Sequence, residues 1–154
     1  MIKPKITPNS KYKQGIFKPL HPEKYAGDVS RLIFRSGLEK RYMMYFDQTP
    51  AITFWASEEI IVPYFSKIDG KMHKYFPDFI IRVKDVDNVE RTFMVELKPF
   101  AQTQKPKGSK NKVRALQESI TYEVNMAKWK AAAEFCDKHN MKFVVFTENT
   151  IKFK

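Results

Sequence analysis

The chain has 154 residues, 43% hydrophobic and 14% aromatic, enough to bury one sizeable core and short enough to favour one domain. Its net charge of +11 and pI near 9.7 point to an anionic partner, most economically nucleic acid, because clustered Lys and Arg gain affinity by releasing phosphate counterions. One cysteine, Cys136, excludes a disulfide framework and a thiolate zinc cluster; scattered His21, His73 and His139 argue against a His-rich metal site; and no stretch approaches the ~20 apolar residues of a membrane span or an apolar signal-peptide core. A soluble protein made in a cytosol is expected. The charge leaves the activity open, since a ribosomal or DNA-coating protein would carry the same excess.

Residues 1 to 30 hold Pro4, Pro8, Pro19 and Pro22 with six lysines, against only Glu23 and Asp28. Such a segment cannot bury enough apolar surface to order itself alone. It reads as a basic arm ahead of one domain over 31–154, either a solvated tail or an arm that lies along DNA or a protein assembly. Tyr12, Phe17, Leu20 and Tyr25 offer it anchors. Next, Leu38, Tyr42 and Tyr45 or Phe46 recur at helical spacing, and Ser36 followed by Glu39 matches a capping box. Glu39 therefore has two readings, a cap of the Ser36 amide or a site acid.

Thr49-Pro50 ends that helix, and Glu59 to Phe65 reads as a strand that Pro63 confines to an edge or a bulge. Asp69-Gly70 is a hairpin turn into a strand over Tyr75 to Lys84. Here an apolar run carries Asp78, and the next run, Phe93-Met94-Val95-Glu96-Leu97-Lys98, carries Glu96, acids that a buried sheet would ordinarily exclude. Asp85-Val86-Asp87-Asn88 has the residue types of a tight turn. If the hairpin folds about position 87, partner numbers add to about 174, and Asp78 lies opposite Glu96 or within a residue of it. Like charges at ~4.5–5.5 Å are destabilising, and a divalent cation removes the conflict. Alternation puts Lys98 on the face of Glu96, with Thr92, Met94, Ile80, Arg82 and Lys84. Phe79, Ile81, Val83, Phe93, Val95 and Leu97 form the opposite, apolar face, so one face is expected to build core and the other to be left for chemistry.

Between Ala101 and Arg114 the loop carries Lys105, Lys107, Lys110, Lys112 and Arg114 before any acid, either as an exposed solvated loop or as a clamp on phosphates near Lys98. Val113 to His139 is helical, with Asn125 as a cap between two helices and Trp129, Ala132, Ala133 and Cys136 on a packed face. Lys142 to Phe146 reads as a strand buried on both faces, parallel to the Glu96 strand through the helical crossover.

Pro77-Asp78, then Glu96-Leu97-Lys98, with Glu39 on the preceding helix, resemble the PD-(D/E)XK nuclease core. The resemblance implies an α/β, restriction-endonuclease-like αβββαβ fold, a mixed sheet flanked by helices, over residues 31–154. A narrower resemblance, to the head-completion nucleases of large contractile-tailed phages, covers nearly the whole chain after the arm. It rests on Phe34-Arg35-Ser36 with Glu39-Lys40, Trp55 to Glu58, Pro63-Tyr64-Phe65, Tyr75-Phe76 with Asp78, Glu96 to Pro99, Val124-Asn125 with Lys128 to Ala132, and Lys142-Phe143 with Thr147-Glu148. The Phe34 to Glu39 segment is also similar to the start of the phage junction-resolving endonucleases, a likeness that fades after Lys98.

What this resemblance implies is a metal-dependent DNase acting late in virion assembly, in the host cytoplasm and in the virion, on double-stranded DNA and beside phage head, portal or neck proteins. Glu39, Asp78, Glu96 and Lys98 would be catalytic. Asp78, Glu96, the Leu97 carbonyl and Glu39 would hold Mg²⁺, with Mn²⁺ as a substitute, while Arg35 and the loop from Lys105 to Arg114 would bind DNA. A junction resolvase, or a DNA-binding head protein that does not cut, are the alternatives.

Overall fold

A computed structural model describes residues 13–153. At its centre is a four-stranded sheet in the order β3 (Ile52–Ser57), β6 (Phe79–Lys84), β7 (Glu90–Leu97), β8 (Lys142–Phe146). β1 (Gly15–Ile16) and β2 (Ile33–Phe34) form a small ribbon, as do β4 (Val62–Ser66) and β5 (Lys71–Tyr75), and the helices are α1 (Gly37–Gln48), α2 (Phe100–Thr103) and α3 (Lys112–Lys138). α1, β3, β6, β7, α3 and β8 make the expected mixed α/β core in the expected order. The β4–β5 ribbon is inserted after the first core strand.

The β6–β7 hairpin has the anticipated register: from Phe79↔Val95 to Lys84↔Glu90 the paired residue numbers add to 174. Asn88 closes its turn at φ +61°, a left-handed position that Asn tolerates. β7 and β8 run parallel, Leu97 level with Phe146. β8 is an edge strand of half-buried residues, not one covered on both faces. The strand beside β6 is Ile52–Ser57, not the Glu59 to Phe65 run. That run pairs only with β5, about a turn in which Gly70 takes φ +69°, and Pro63 is thereby confined to a two-stranded ribbon, where a missing N–H costs least. The Tyr75 to Lys84 stretch is two strands, broken at Phe76-Pro77-Asp78.

Both sheet faces are covered. On one, Phe79, Ile81, Val95 and Leu97 pack with Tyr42, Met43 and Phe46 of α1 and with Trp55. On the other, Ile80 and Met94 lie with Ala132 and Cys136 of α3 and with Val62, Tyr64 and Tyr75 of the ribbon. The face expected to be left for chemistry is thus core at its middle, at Ile80 and Met94, because α3 and the ribbon lie across it; Asp78, Glu96 and Lys98 stand at one end, and Arg82, Lys84 and Thr92 at the other. Ala133 faces solvent. α3 is one helix of 27 residues capped by Asn111, and Asn125, expected to end a helix, is buried midway along it. A polar side chain turned inwards does not interrupt the backbone ladder.

Of the basic segment, Tyr12 lies outside the described residues; the rest from residue 13 lies against the domain. Phe17 and Tyr25 are buried against Trp55, whereas Leu20 is 72% exposed. Lys24 Nζ donates to the carbonyls of Phe46, Asp47 and Thr49 at 2.7–2.9 Å, neutralising the C-terminus of α1. Buried Asp47 accepts from the amides of Leu20 and His21 at 2.7 and 3.1 Å. Tyr25 bridges in parallel to Trp55, covering part of the open edge of β3.

Candidate active site

Pro77 has no N–H to give a ladder, and β6 begins only at Phe79. Extending the β6–β7 register by one residue sets Asp78 level with Glu96. The Leu97 amide donates to Asp78 Oδ2 at 2.7 Å, which turns the carboxylate towards the end of β7. Burial first, then the neighbouring Glu96 charge, hold the Asp78 carboxyl well above its ordinary pKa, against the lowering effect of the Leu97 bond.

Glu96 is 6% exposed. Lys98 Nζ lies 3.6 Å from its Oε1, as alternation along β7 requires, and the Lys98 amide is pinned to the Phe146 carbonyl of β8 at 3.0 Å. The Tyr75 hydroxyl donates a short hydrogen bond to Glu96 Oε2. Burial and that carboxylate raise the Tyr75 pKa far beyond the usual phenol range, so the hydroxyl remains a donor. From α3, Lys128 Nζ stands 5.6 Å from the Tyr75 ring centroid and 5.8 Å from that of Tyr64. Burial, then the Lys98 charge, lowers its pKa, with Glu96 and Asp78 opposing.

α1 supplies the other side. The Glu39 amide donates to Ser36 Oγ at 3.1 Å, and Glu39 Oε2 accepts from the Arg35 amide at 2.8 Å. The reciprocal half of the expected capping box is therefore made with Arg35, one residue before the cap. Burial, Glu58 and Glu96 raise the Glu39 pKa, while Arg35 lowers it. Glu39 thus ties the Arg35 amide at the start of α1, not that of Ser36, and its charge is felt by Glu58 and Glu96. Glu58 follows β3 at φ +52°, a left-handed conformation that costs a non-glycine residue ~1–2 kcal/mol, and its amide donates to the Asp78 carbonyl at 3.0 Å. Glu58, Asp78 and Glu96 thus sit in one row across three strands. Backbone strain of this kind clusters at functional sites.

Among the described residues no group of three or more His, Cys, Asp or Glu is disposed to enclose a metal ion. The donors themselves fit Mg²⁺: two carboxylates, one disfavoured as an anion by the other, with no soft ligand between them.

The six residues expected to meet DNA divide. Arg35 is half-buried and close enough to stabilise the Glu39 charge. Lys105, Lys107 and Lys110 are exposed on the loop after α2, and Lys112 and Arg114 on the first turn of α3. Arg114 pairs with Glu118 at 2.9 Å. From Lys112 to Lys128 the helix spans about 24 Å, so this basic end stands well away from the carboxylates. Glu148, for which the sequence suggests no role, accepts from the Phe100 amide with both oxygens at 3.0–3.2 Å, tying the start of α2 to the chain after β8. Tyr75 and Lys128 were not singled out as site residues. A signal existed for Lys128, because it lies three residues after Asn125 and so shares its helix face, a polar pair in an otherwise packing helix.

Residues 49–148 match the TnsA-like endonuclease N-terminal family. The chain is 36% identical over 143 residues to the "Head completion nuclease" of Enterobacteria phage T4, with 90% of this chain and 93% of that protein covered. With the αβββαβ core and the Asp78, Glu96 and Lys98 constellation in place, the chain belongs to the TnsA-like endonuclease family, a restriction-endonuclease-like family of nucleases.

Proposed function

We propose that this chain is a Mg²⁺-dependent deoxyribonuclease that hydrolyses phosphodiester bonds of double-stranded DNA. The observation that carries this reading is the convergence of Asp78 and Glu96 at one end of the β6–β7 hairpin with Lys98 3.6 Å from Glu96. Asp78, Glu96 and the Leu97 carbonyl would hold the ion, with Glu39 completing the set directly or through water. When bound, Mg²⁺ supplies charge neutralisation at the phosphodiester and a lowered pKa for a bound water. Lys98 orients the attacking water or offsets charge gathering on the phosphorane. Tyr75 holds Glu96 in place through its hydroxyl. The Lys105 to Arg114 segment and Arg35 hold the duplex by its phosphates.

The T4 relative is named for head completion, and we extend that role here: action late in assembly, after DNA is packaged, in the host cytoplasm and at the virion vertex, beside head, portal or neck proteins. The test is incubation of purified protein with supercoiled plasmid and with a four-way junction, in Mg²⁺, in Mn²⁺ and in EDTA. Plasmid nicking with either ion, abolished by EDTA and by Asp78→Ala, is expected. Strong preference for the junction would make it a resolvase, and binding without cutting would make it a structural head protein.

A further inference from the structure

The two ammonium groups at this site present the same puzzle as its two carboxylates. Lys98 has Glu96 as a partner at 3.6 Å. Lys128 has no carboxylate within 4 Å among the described residues. Its ammonium stands over the faces of Tyr64 and Tyr75, a placement that ring quadrupoles favour. A lysine kept only for packing would reach water, as long cationic side chains ordinarily do. This one is half-buried and turned to the end of the sheet where Lys98 stands. The Tyr75 ring beneath it is fixed in turn, since the Tyr75 hydroxyl is bonded to Glu96. Lys128 over Tyr75, Tyr75 bonded to Glu96, and Glu96 paired with Lys98 form one chain of contacts that sets both cations at the same end of the sheet, where an anionic ligand would meet both.

We propose that Lys128 is a second phosphate-binding residue of the site, gripping with Lys98 the phosphodiester that is cut, from the α3 side. The proposal rests on the nuclease reading of the same site and adds a residue and a role to it. Lys98 approaches the phosphate from the strand that bears Glu96; Lys128 approaches from the helix laid over that same face, with its ammonium set over two tyrosine rings. Such placement suits a charge that must be stronger in the transition state than in the ground state, because it requires little reorganisation as negative charge builds on the phosphorane oxygens.

The experiment has two readouts. Binding of a fluorescent duplex is followed by anisotropy in EDTA across a salt series, for the full chain and for Lys128→Met and Lys128→Arg. Single-turnover cleavage is followed in Mg²⁺ at saturating DNA. Methionine keeps an unbranched apolar stem against the tyrosines, and an unchanged melting curve checks the fold. Lys128→Met is expected to lower the slope of log K against log salt by about one phosphate contact and to slow cleavage about 10²-fold. Lys128→Arg is expected to restore the slope and most of the rate. A wild-type slope in Lys128→Met overturns the proposal whatever cleavage does. A lowered slope with wild-type cleavage also overturns it, by placing the contact on a phosphate that is not cut. If the wild type does not cut at all, the nuclease reading fails with the proposed role in cutting, while the slope still decides whether Lys128 holds a phosphate.

Discussion

Replacing Asp78 with Asn removes one of two facing negative charges while leaving an oxygen to accept the Leu97 amide. With facing Cβ atoms ~5 Å apart, Coulomb repulsion at an effective dielectric of about 20 comes to ~3 kcal/mol; Lys98 beside Glu96 offsets part of it, leaving roughly 1–2 kcal/mol. The metal-free Asp78→Asn variant should therefore melt higher than the wild type, by about 2–8 °C for a chain of this size. The pH dependence has a definite sign. The folded Asp78 carboxyl has a raised pKa, so ionising it destabilises the folded state. That penalty is absent below the unfolded value near 4, where both states are protonated, and grows as pH rises towards and through the folded pKa. The variant's advantage should vanish in acid and open as pH rises. Mg²⁺ at about 100 times its Kd should then stabilise the wild type by ~2.7 kcal/mol and the variant far less. Differential scanning fluorimetry at several pH values, with EDTA and with Mg²⁺, reads all of this. A metal-free variant that melts below the wild type, or gains as much from Mg²⁺, would refute the idea that these acids are held apart by charge and joined by a cation.

Glu39→Gln should separate the two uses of Glu39: glutamine still accepts from the Arg35 amide, so the melting temperature should shift by no more than ~2 °C, while cleavage falls at least ~10²-fold. Wild-type cleavage would leave Glu39 as a cap alone. Asp47→Ala strands the amides of Leu20 and His21 and should destabilise the fold by about 2–4 kcal/mol, seen in urea unfolding; no loss would show that the segment before β2 is not held there. Changing Lys105, Lys107, Lys110 and Lys112 together to Ala should reduce the salt slope of DNA binding by up to ~3.6 with little change in the cleavage rate at saturation. An unchanged slope would remove this loop from the DNA path.

The hairpin was legible because its turn residues are distinctive and both arms are long, so one arithmetic sum set the register and brought Asp78 to Glu96. The strand before it was not. Ile52–Ser57 does not alternate cleanly, with Trp55, Ala56 and Ser57 all buried in succession, whereas Val62–Ser66 alternates well yet belongs to a satellite ribbon. Asn125 misled for a related reason: a residue type that favours caps was kept inside a helix by its buried position. The acids and Lys98 of the site announced themselves by breaking an apolar pattern. Tyr75 did not, because an aromatic in a strand is unremarkable, and Lys128 showed itself only as the helix-face neighbour of Asn125, a signal without meaning until the fold brings α3 over the sheet.

The central claim is that Asp78 and Glu96 share a divalent cation, and the measurement that tests it most directly is anomalous diffraction from crystals grown or soaked with Mn²⁺. One peak about 2.2 Å from an oxygen of each carboxylate, lost in Asp78→Asn, is the predicted result. A protein that cuts DNA while its Mn²⁺ peak lies elsewhere, with both carboxylates unliganded, would contradict it.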